Sequence, residues 1–224
     1  MVRGVPENTL PAFEASVSAG YGIELDVQQL GDGTLVVFHD DDLKRAAGVD
    51  LALRKLSREQ LSNHALFGTS ARAPLLSEVL EVVDARVPIM LEVKHRGRST
   101  EIAQAVHREI RDYRGPLAVQ SFNPFVVAWF RRRGRSVPLG QLGGPLADDN
   151  LATLERAASR RLLTLIVSRP DFLNYDLRAL PDPWVSCVVA CTRLPLLCWT
   201  VRSDADRSKA EKLRLNYVFE GIRP

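Results

Sequence analysis

"GYGIELDVQQLGDGTLVVFHDDDLKR", residues 20–45, holds two apolar runs joined by a glycine-rich turn and sets charged side chains inside them. The first run, "GIELDV", and the second, "TLVVFH", read as strands, with "GDG" as the turn between them. Side chains alternate across a strand, so Glu24 and Asp26 share one face while Ile23, Leu25 and Val27 occupy the other. Leu35, Val37 and His39 share a face in the same way, as do Met90, Glu92 and Lys94 of "IMLEVK". In each strand the polar group lies near the C-terminal end.

Outward from this stretch the chain repeats a strand-helix rhythm. Leu10 to Ala19 has helical spacing with Asn8 or Thr9 as cap, "LLSEVLEVVDA" and "STEIAQAVHREIRDY" read as helices, and "VPIMLEVK" and "PLAVQSF" as strands. The helix "PFVVAWFRRRG" follows, then "VPLGQL", a helix near "NLATLERAASRR", the apolar run "LLTLIVS" and the segment "PDFLNYDLRAL". "PLLCWTV", the helix "SDADRSKAEKLR" and a last strand "NYVFEG" close the chain. Residues 43–73 are polar, with helical hints around "SREQLSNHAL", and interrupt the rhythm as an excursion. Strands alternating with helices make a parallel sheet covered by helices. Seven or so such units favour a closed (β/α)8 TIM-type barrel over an open sheet. No glycine-rich dinucleotide or P-loop fingerprint follows a strand, which also counts against the open sheet.

The 224 residues, 46% hydrophobic and 25% charged, suit one globular domain spanning residues 1–224, with the excursion at about 43–73 as a small insertion. A formal charge of +3 without a long block of one sign gives little support for nucleic-acid or membrane-surface partners. The one basic cluster, Arg131 to Arg135, reads as a solvated helix C-terminus. Cys187, Cys191 and Cys198 lie in one apolar region without zinc-type pairing, so buried thiols in a reducing compartment are expected. The N-terminus has no apolar h-region and no stretch is long enough to span a bilayer, so a soluble, untargeted cytoplasmic protein is expected.

The charged groups are read together. In a barrel, Glu24, Asp26 and Glu92 point inward, and active sites of that fold lie at the strand C-termini, where these residues sit. Buried carboxylates require a cation, shared protons or basic partners. Oxygen-only ligation points to a hard divalent ion, Mg²⁺ or Ca²⁺. Lys94 would repel that ion unless an anion bridged the two, and a phosphate is the natural bridge.

These residues carry a resemblance. "PENTLPAFEASVSAGYGIELDVQQLGDGTLVVFHDDDLKR" is similar over its full length to the first-half signature of the glycerophosphodiester phosphodiesterase family, and "LLSEVL", "LEVK", "QSFNP" and "CWTV" follow in that family's order. The resemblance implies a TIM barrel with an insertion after its second strand. It also implies Ca²⁺- or Mg²⁺-dependent hydrolysis of glycerophosphodiesters, a small-molecule substrate, to glycerol 3-phosphate and an alcohol. By the same resemblance Glu24, Asp26 and Glu92 are the metal ligands, His39 is a catalytic acid/base and Lys94 contacts phosphate. Trp199 resembles the family's late-strand tryptophan, which lines the glycerol, with ordinary packing as the rival reading. Glu7 and Asn8 resemble the family's "PEN", although helix capping alone accounts for Asn8.

One departure stands out. The family opens with a strand ending in His-Arg-Gly, whose histidine is a second acid/base and whose arginine helps hold phosphate. Here Val2-Arg3-Gly4 resembles the tail of that motif, with Val2 at the histidine's place and Val5 alone before Pro6. Either Arg3-Gly4 is a shortened, histidine-less motif, or the chain starts late and its first strand is missing. The spacing and the lack of a preceding apolar strand favour the late start. An in-line displacement needs a base for the nucleophile and an acid for the leaving alkoxide, and loss of one typically costs about 10²–10⁴-fold. Impaired hydrolysis is therefore expected, and a catalytically inactive member kept as a phosphate- and metal-binding or regulatory module is the alternative. A sugar-phosphate isomerase or aldolase on the same barrel is weaker, because such sites do not need three clustered carboxylates. His64, His95 and His107 are read as surface residues, and Ser121 as shaping the pocket.

Overall fold

A computed structural model of the chain describes residues 5–133, 137–145 and 162–223. It divides into two compact units, Met1–Ala118 and Val119–Pro224. The segment Val2-Arg3-Gly4, on which the two readings of the missing motif turn, and the helix expected near residues 150–161 lie outside the described residues.

The first unit opens with α1 (Leu10–Ser18), which has a proline in its first turn, where a missing N–H costs nothing. The cap position falls to Thr9, which leaves Asn8, at φ 53°, to turn its side chain elsewhere. Next come β1 (Ile23–Gln29) and β2 (Leu35–Val37), paired antiparallel with Val27 opposite Val37. This corrects the all-parallel expectation: a connection as short as residues 30–34 leaves no room for a crossover, so the two strands form a hairpin. β3 (Ile89–Val93) returns parallel to β1, with Leu25 opposite Leu91 and Asp26 opposite Glu92. Leu25, Val27, Leu91 and Val93 are fully buried on one face of this pair, while the alternate positions carry the polar side chains.

Residues 43–73, read from the sequence as an insertion, follow β2. They contain α2 (Lys44–Ala47) and α3 (Arg58–Ser62), and Ser57 and Gln60 close a capping box on α3. This segment has its own apolar cluster, in which Leu43, Leu53, Leu61 and Leu66 pack with Val36 and Phe38 from the hairpin. Leu43 has no exposed surface, so Leu43→Ala is expected to cost about 2–5 kcal/mol in urea denaturation. α4 (Leu76–Val83), which packs against α1, and α5 (Glu101–Ile110) flank β3 in sequence.

The second unit is a parallel ladder. β4 (Leu117–Ser121), in which the chain passes into this unit, is followed by α6 (Pro124–Arg132), β5 (Leu139–Gly143), α7 (Leu165–Ser168) and β6 (Phe172–Asp176). Then come α8 (Pro183–Thr192), β7 (Leu196–Val201), α9 (Asp204–Lys212) and β8 (Asn216–Phe219). Strands β4 to β8 pair in sequence order, all parallel. Of the two apolar runs read from sequence near residue 170, the strand forms in "FLNYD"; "LIVS" makes a single helical turn. At the end of α6, Arg131 is mostly covered and pairs with Asp171 at 3.0 Å, so this part of the basic cluster is an ion pair and not only a solvated helix end. The expectation of three buried thiols holds for Cys198 alone. Cys187 and Cys191 are exposed, because α8 turns Val185 inward and presents the cysteines, one turn apart, on its outer side.

Candidate metal centre and active site

The first unit builds an acidic cluster from strand register. Asp26 and Glu92 face each other across the β1–β3 pair, and Glu24 lies on the same face two residues before Asp26. One carboxylate oxygen from each of Glu24, Asp26 and Glu92 lies within 4.8 Å of the others. Asp26 and Glu92 are only 5% and 7% exposed, so water does little to relieve their charge. Lys94, whose N–H continues the pairing to the Val27 carbonyl at 2.9 Å, brings Nζ to 3.3 Å from Asp26 Oδ1 and 3.6 Å from Glu92 Oε1.

Charge and burial compete here. Burial pushes the Glu92 carboxyl up to about 7; the Lys94 ammonium opposes that rise and Asp26 adds to it. For Lys94, burial pulls the pKa down, but the Glu92 and Asp26 carboxylates outweigh it and hold the ammonium well above its usual range. Both shifts express the crowding of buried carboxylates around Lys94. A hard divalent cation fits it. Ca²⁺ takes oxygen ligands at about 2.3–2.6 Å, so oxygens sharing one ion lie at most about 5 Å apart, and the cluster meets that limit without rearrangement. The all-carboxylate donor set suits Ca²⁺ or Mg²⁺ rather than a thiophilic metal.

His39 follows β2 and is exposed. Its backbone is held by Gln28, whose Nε2 lies 3.0, 3.1 and 2.7 Å from the carbonyl oxygens of Phe38, His39 and Asp40. The Phe38 N–H donates to the Asp26 carbonyl at 2.9 Å, so the segment bearing His39 is tied to the strand bearing the carboxylates. The ring Nδ1 lies 2.7 Å from Asp40 Oδ1. A carboxylate only accepts, so Nδ1 carries the proton. This bond holds the imidazole above its ordinary pKa, against burial and the Lys94 charge and with help from Asp26.

Two neighbouring residues at the start of the unit brace both sides. Asn8 Nδ2 donates to Asp26 Oδ2 at 2.9 Å, and its Oδ1 accepts from the Asp26 N–H at 3.3 Å. Glu7 accepts from Arg45, which also grips Asp40. Sequence reasoning missed Gln28 and Arg45. Gln28 had a signal, since it continues the alternation Glu24, Asp26, Gln28; Arg45 had none, because only the folded insertion brings it to Asp40. His64, His95 and His107 are half-buried rather than on the surface, and none supplies a ligand atom to the carboxylate cluster. His107 sits on α5 beside the inward-facing Val106 and Ile110, and burial lowers the His95 pKa.

Trp199 belongs to the second unit, on β7 opposite Asp176 of β6. Its ring meets Phe122 edge-on, with centroids 5.7 Å apart and planes at 89°. The indole Nε1 is buried without a hydrogen-bond partner among the described residues. Gly144, at φ 151°, lies close by and has no room for a side chain, because a Cβ there would lie 2.8 Å from Asp176 Cβ.

Known proteins resemble this chain in sequence and in fold. The model of the glycerophosphoryl diester phosphodiesterase family matches residues 3–219. The chain belongs to that family. Members of the glycerophosphoryl diester phosphodiesterase family are hydrolases, and this chain is 32% identical over 139 residues to a glycerophosphodiester phosphodiesterase of Bacillus altitudinis, covering 57% of each chain. It is 31% identical to human glycerophosphodiester phosphodiesterase 1 over 59% of this chain and 43% of that one. The chain thus spans roughly half the length of these curated relatives. In three dimensions it resembles the glycerophosphodiester phosphodiesterase of Thermotoga maritima, with a TM-score of 0.72 and 25% identity over 96% of this chain and 88% of that one. It also resembles an Oleispira antarctica phosphodiesterase solved with the product sn-glycerol-3-phosphate, with a TM-score of 0.77 and 23% identity over 96% and 87%. The fold is therefore the α/β TIM-barrel type of the family.

Proposed function

We propose that this chain is a divalent-metal-dependent glycerophosphodiester phosphodiesterase, releasing glycerol 3-phosphate and an alcohol. The carrying observation is the cluster of Glu24, Asp26 and Glu92 within 4.8 Å, with Lys94 against two of them. In this reading the three carboxylates hold Ca²⁺ or Mg²⁺, which when bound polarises the phosphoryl oxygens. Lys94 exchanges part of its hold on Asp26 and Glu92 for a substrate phosphate oxygen. His39, its Nδ1–H fixed on Asp40, moves a proton at Nε2. Trp199, with its unpartnered indole N–H, is assigned to the glycerol moiety and Arg3 to the phosphate. Three free thiols support a reducing, cytoplasmic setting, and no helix among the described residues is long and apolar enough to cross a membrane.

His39 is the one histidine assigned to this site, and that favours slow turnover. It also keeps open a second reading, a phosphate- and metal-binding module without catalysis. The deciding assay measures hydrolysis of glycerophosphocholine and glycerophosphoethanolamine in Ca²⁺ and in Mg²⁺, with His39→Ala beside the parent. Slow, metal-dependent release of glycerol 3-phosphate that His39→Ala abolishes is the expected result. Metal binding with no release selects the binding module, and rapid release untouched by His39→Ala sinks the acid/base assignment.

A further inference from the structure

We propose that Arg45, at the start of the insertion, is a positioning residue for His39; this rests on the reading of His39 as the proton-transfer group. Arg45 lies on α2 and meets Asp40 with a fork, Nε 2.6 Å from Oδ2 and Nη2 3.0 Å from Oδ1. The Asp40 Oδ1 in turn accepts from His39 Nδ1. Both carboxylate oxygens are thus engaged, and the fork sets the plane against which the imidazole lies. Arg45 is itself fixed from two more directions, by Glu7 through Nη2 and by the Phe67 ring, whose centroid lies 5.3 Å from Cζ. Glu7 precedes α1 and Phe67 belongs to the insertion, so the arginine ties three segments to one carboxylate. Its backbone is anchored as well, because its neighbour Ala46 and Leu43 are buried in the insertion's apolar cluster.

A surface ion pair alone would not earn such a role, since exposed pairs contribute little. Here the fork geometry is the argument. An ammonium on the same helix could neutralise Asp40 but could not hold both of its oxygens in one plane. When Asp40 is free to rotate, the imidazole loses the acceptor that keeps its proton on Nδ1, and Nε2 is no longer reserved for substrate. The insertion then has a task at the site without supplying an atom to the reacting group.

The test reads the ring directly. Two-dimensional ¹H–¹⁵N spectra of the imidazole nitrogens report which one is protonated in neutral His39, and they need no turnover. The parent chain is expected to show the Nδ1–H form, and Arg45→Met to shift the population toward Nε2–H. Arg45→Lys, which keeps the charge and is the milder change for folding, is expected to shift it part of the way. Asp40→Asn should bring the His39 pKa down, since the negative charge that favours the imidazolium is lost while the opposing Lys94 charge stays. In glycerophosphocholine hydrolysis, Arg45→Met should lower kcat at least about tenfold with KM unchanged, as expected when a histidine loses its orienting group. An unaltered tautomer in folded Arg45→Met and Arg45→Lys overturns the proposal. Failure of the functional reading looks different: His39→Ala would keep the full rate while Arg45→Met still moved the tautomer.

Discussion

Glu92→Gln is expected to weaken Ca²⁺ or Mg²⁺ binding by at least about 100-fold in calorimetry, more than the 10–100-fold typical of groups that only support a ligand. The substitution keeps shape and hydrogen-bonding capacity but removes one of three charges around the cation position, beside Asp26 in the β1–β3 register. Unchanged affinity would remove Glu92 from the site. A second effect has a definite sign. The Glu92 carboxyl is raised to about 7 in the folded, metal-free chain, so between the ordinary carboxylate range and that value the folded state binds the extra proton. Metal-free stability therefore falls as pH rises through this window, and saturating Ca²⁺ should offset the fall. The Gln variant should show a flatter profile of thermal midpoint against pH. A profile as steep as the parent's would mean that another group takes up this proton.

The other large effect concerns proton transfer. Joining a strand that ends in His-Arg-Gly ahead of Val5 should raise glycerophosphodiester hydrolysis by at least about 10²-fold over the 224-residue chain, the usual worth of one positioned acid or base. The gain should vanish in His39→Ala, because two groups serving opposite ends of one displacement fail together. The assay uses glycerophosphocholine and glycerophosphoethanolamine in each metal. A rate equal in both versions of the chain would show that His39 and the cation suffice. A gain that survives His39→Ala would show that His39 is not the partner of the added histidine.

The carboxylate cluster was legible because strand alternation is a strictly local rule: Glu24 and Asp26 must share a face, and Glu92 and Lys94 must share theirs. What alternation cannot supply is the pairing that sets Asp26 against Glu92, since 66 residues separate them in sequence and their adjacency depends on strand order. The β1–β2 turn, "GDG", was legible, but the antiparallel sense of the pair was missed. A strand-helix rhythm suggests parallel pairing throughout, and the turn length that contradicts it was visible but outweighed by the pattern. The exposure of Cys187 and Cys191 was not legible either, because an apolar composition reads as buried whichever way the helix is turned. Arg45 shows the limit most clearly. It lies in a polar stretch without periodicity, and its meaning depends on Asp40, Glu7 and Phe67 arriving from three directions.

Glu7 and Asn8 are joined by a single peptide bond, yet Glu7 binds Arg45 beside the imidazole and Asn8 binds Asp26 of the carboxylate cluster. In the language of linkage, occupancy of one region and order in the other share a mechanical node one residue wide. A cation that moved Asp26 would also move the asparagine bonded to it and, through the peptide bond, the next residue's contact with the guanidinium. Any coupling free energy carried this way must be reciprocal. A change in the protonation of His39 should then alter cation affinity by the same factor as the cation alters the histidine's proton affinity; removal of Asn8 should weaken only the mechanical part of that coupling, because the Asp26 and Lys94 charges act on the imidazole directly.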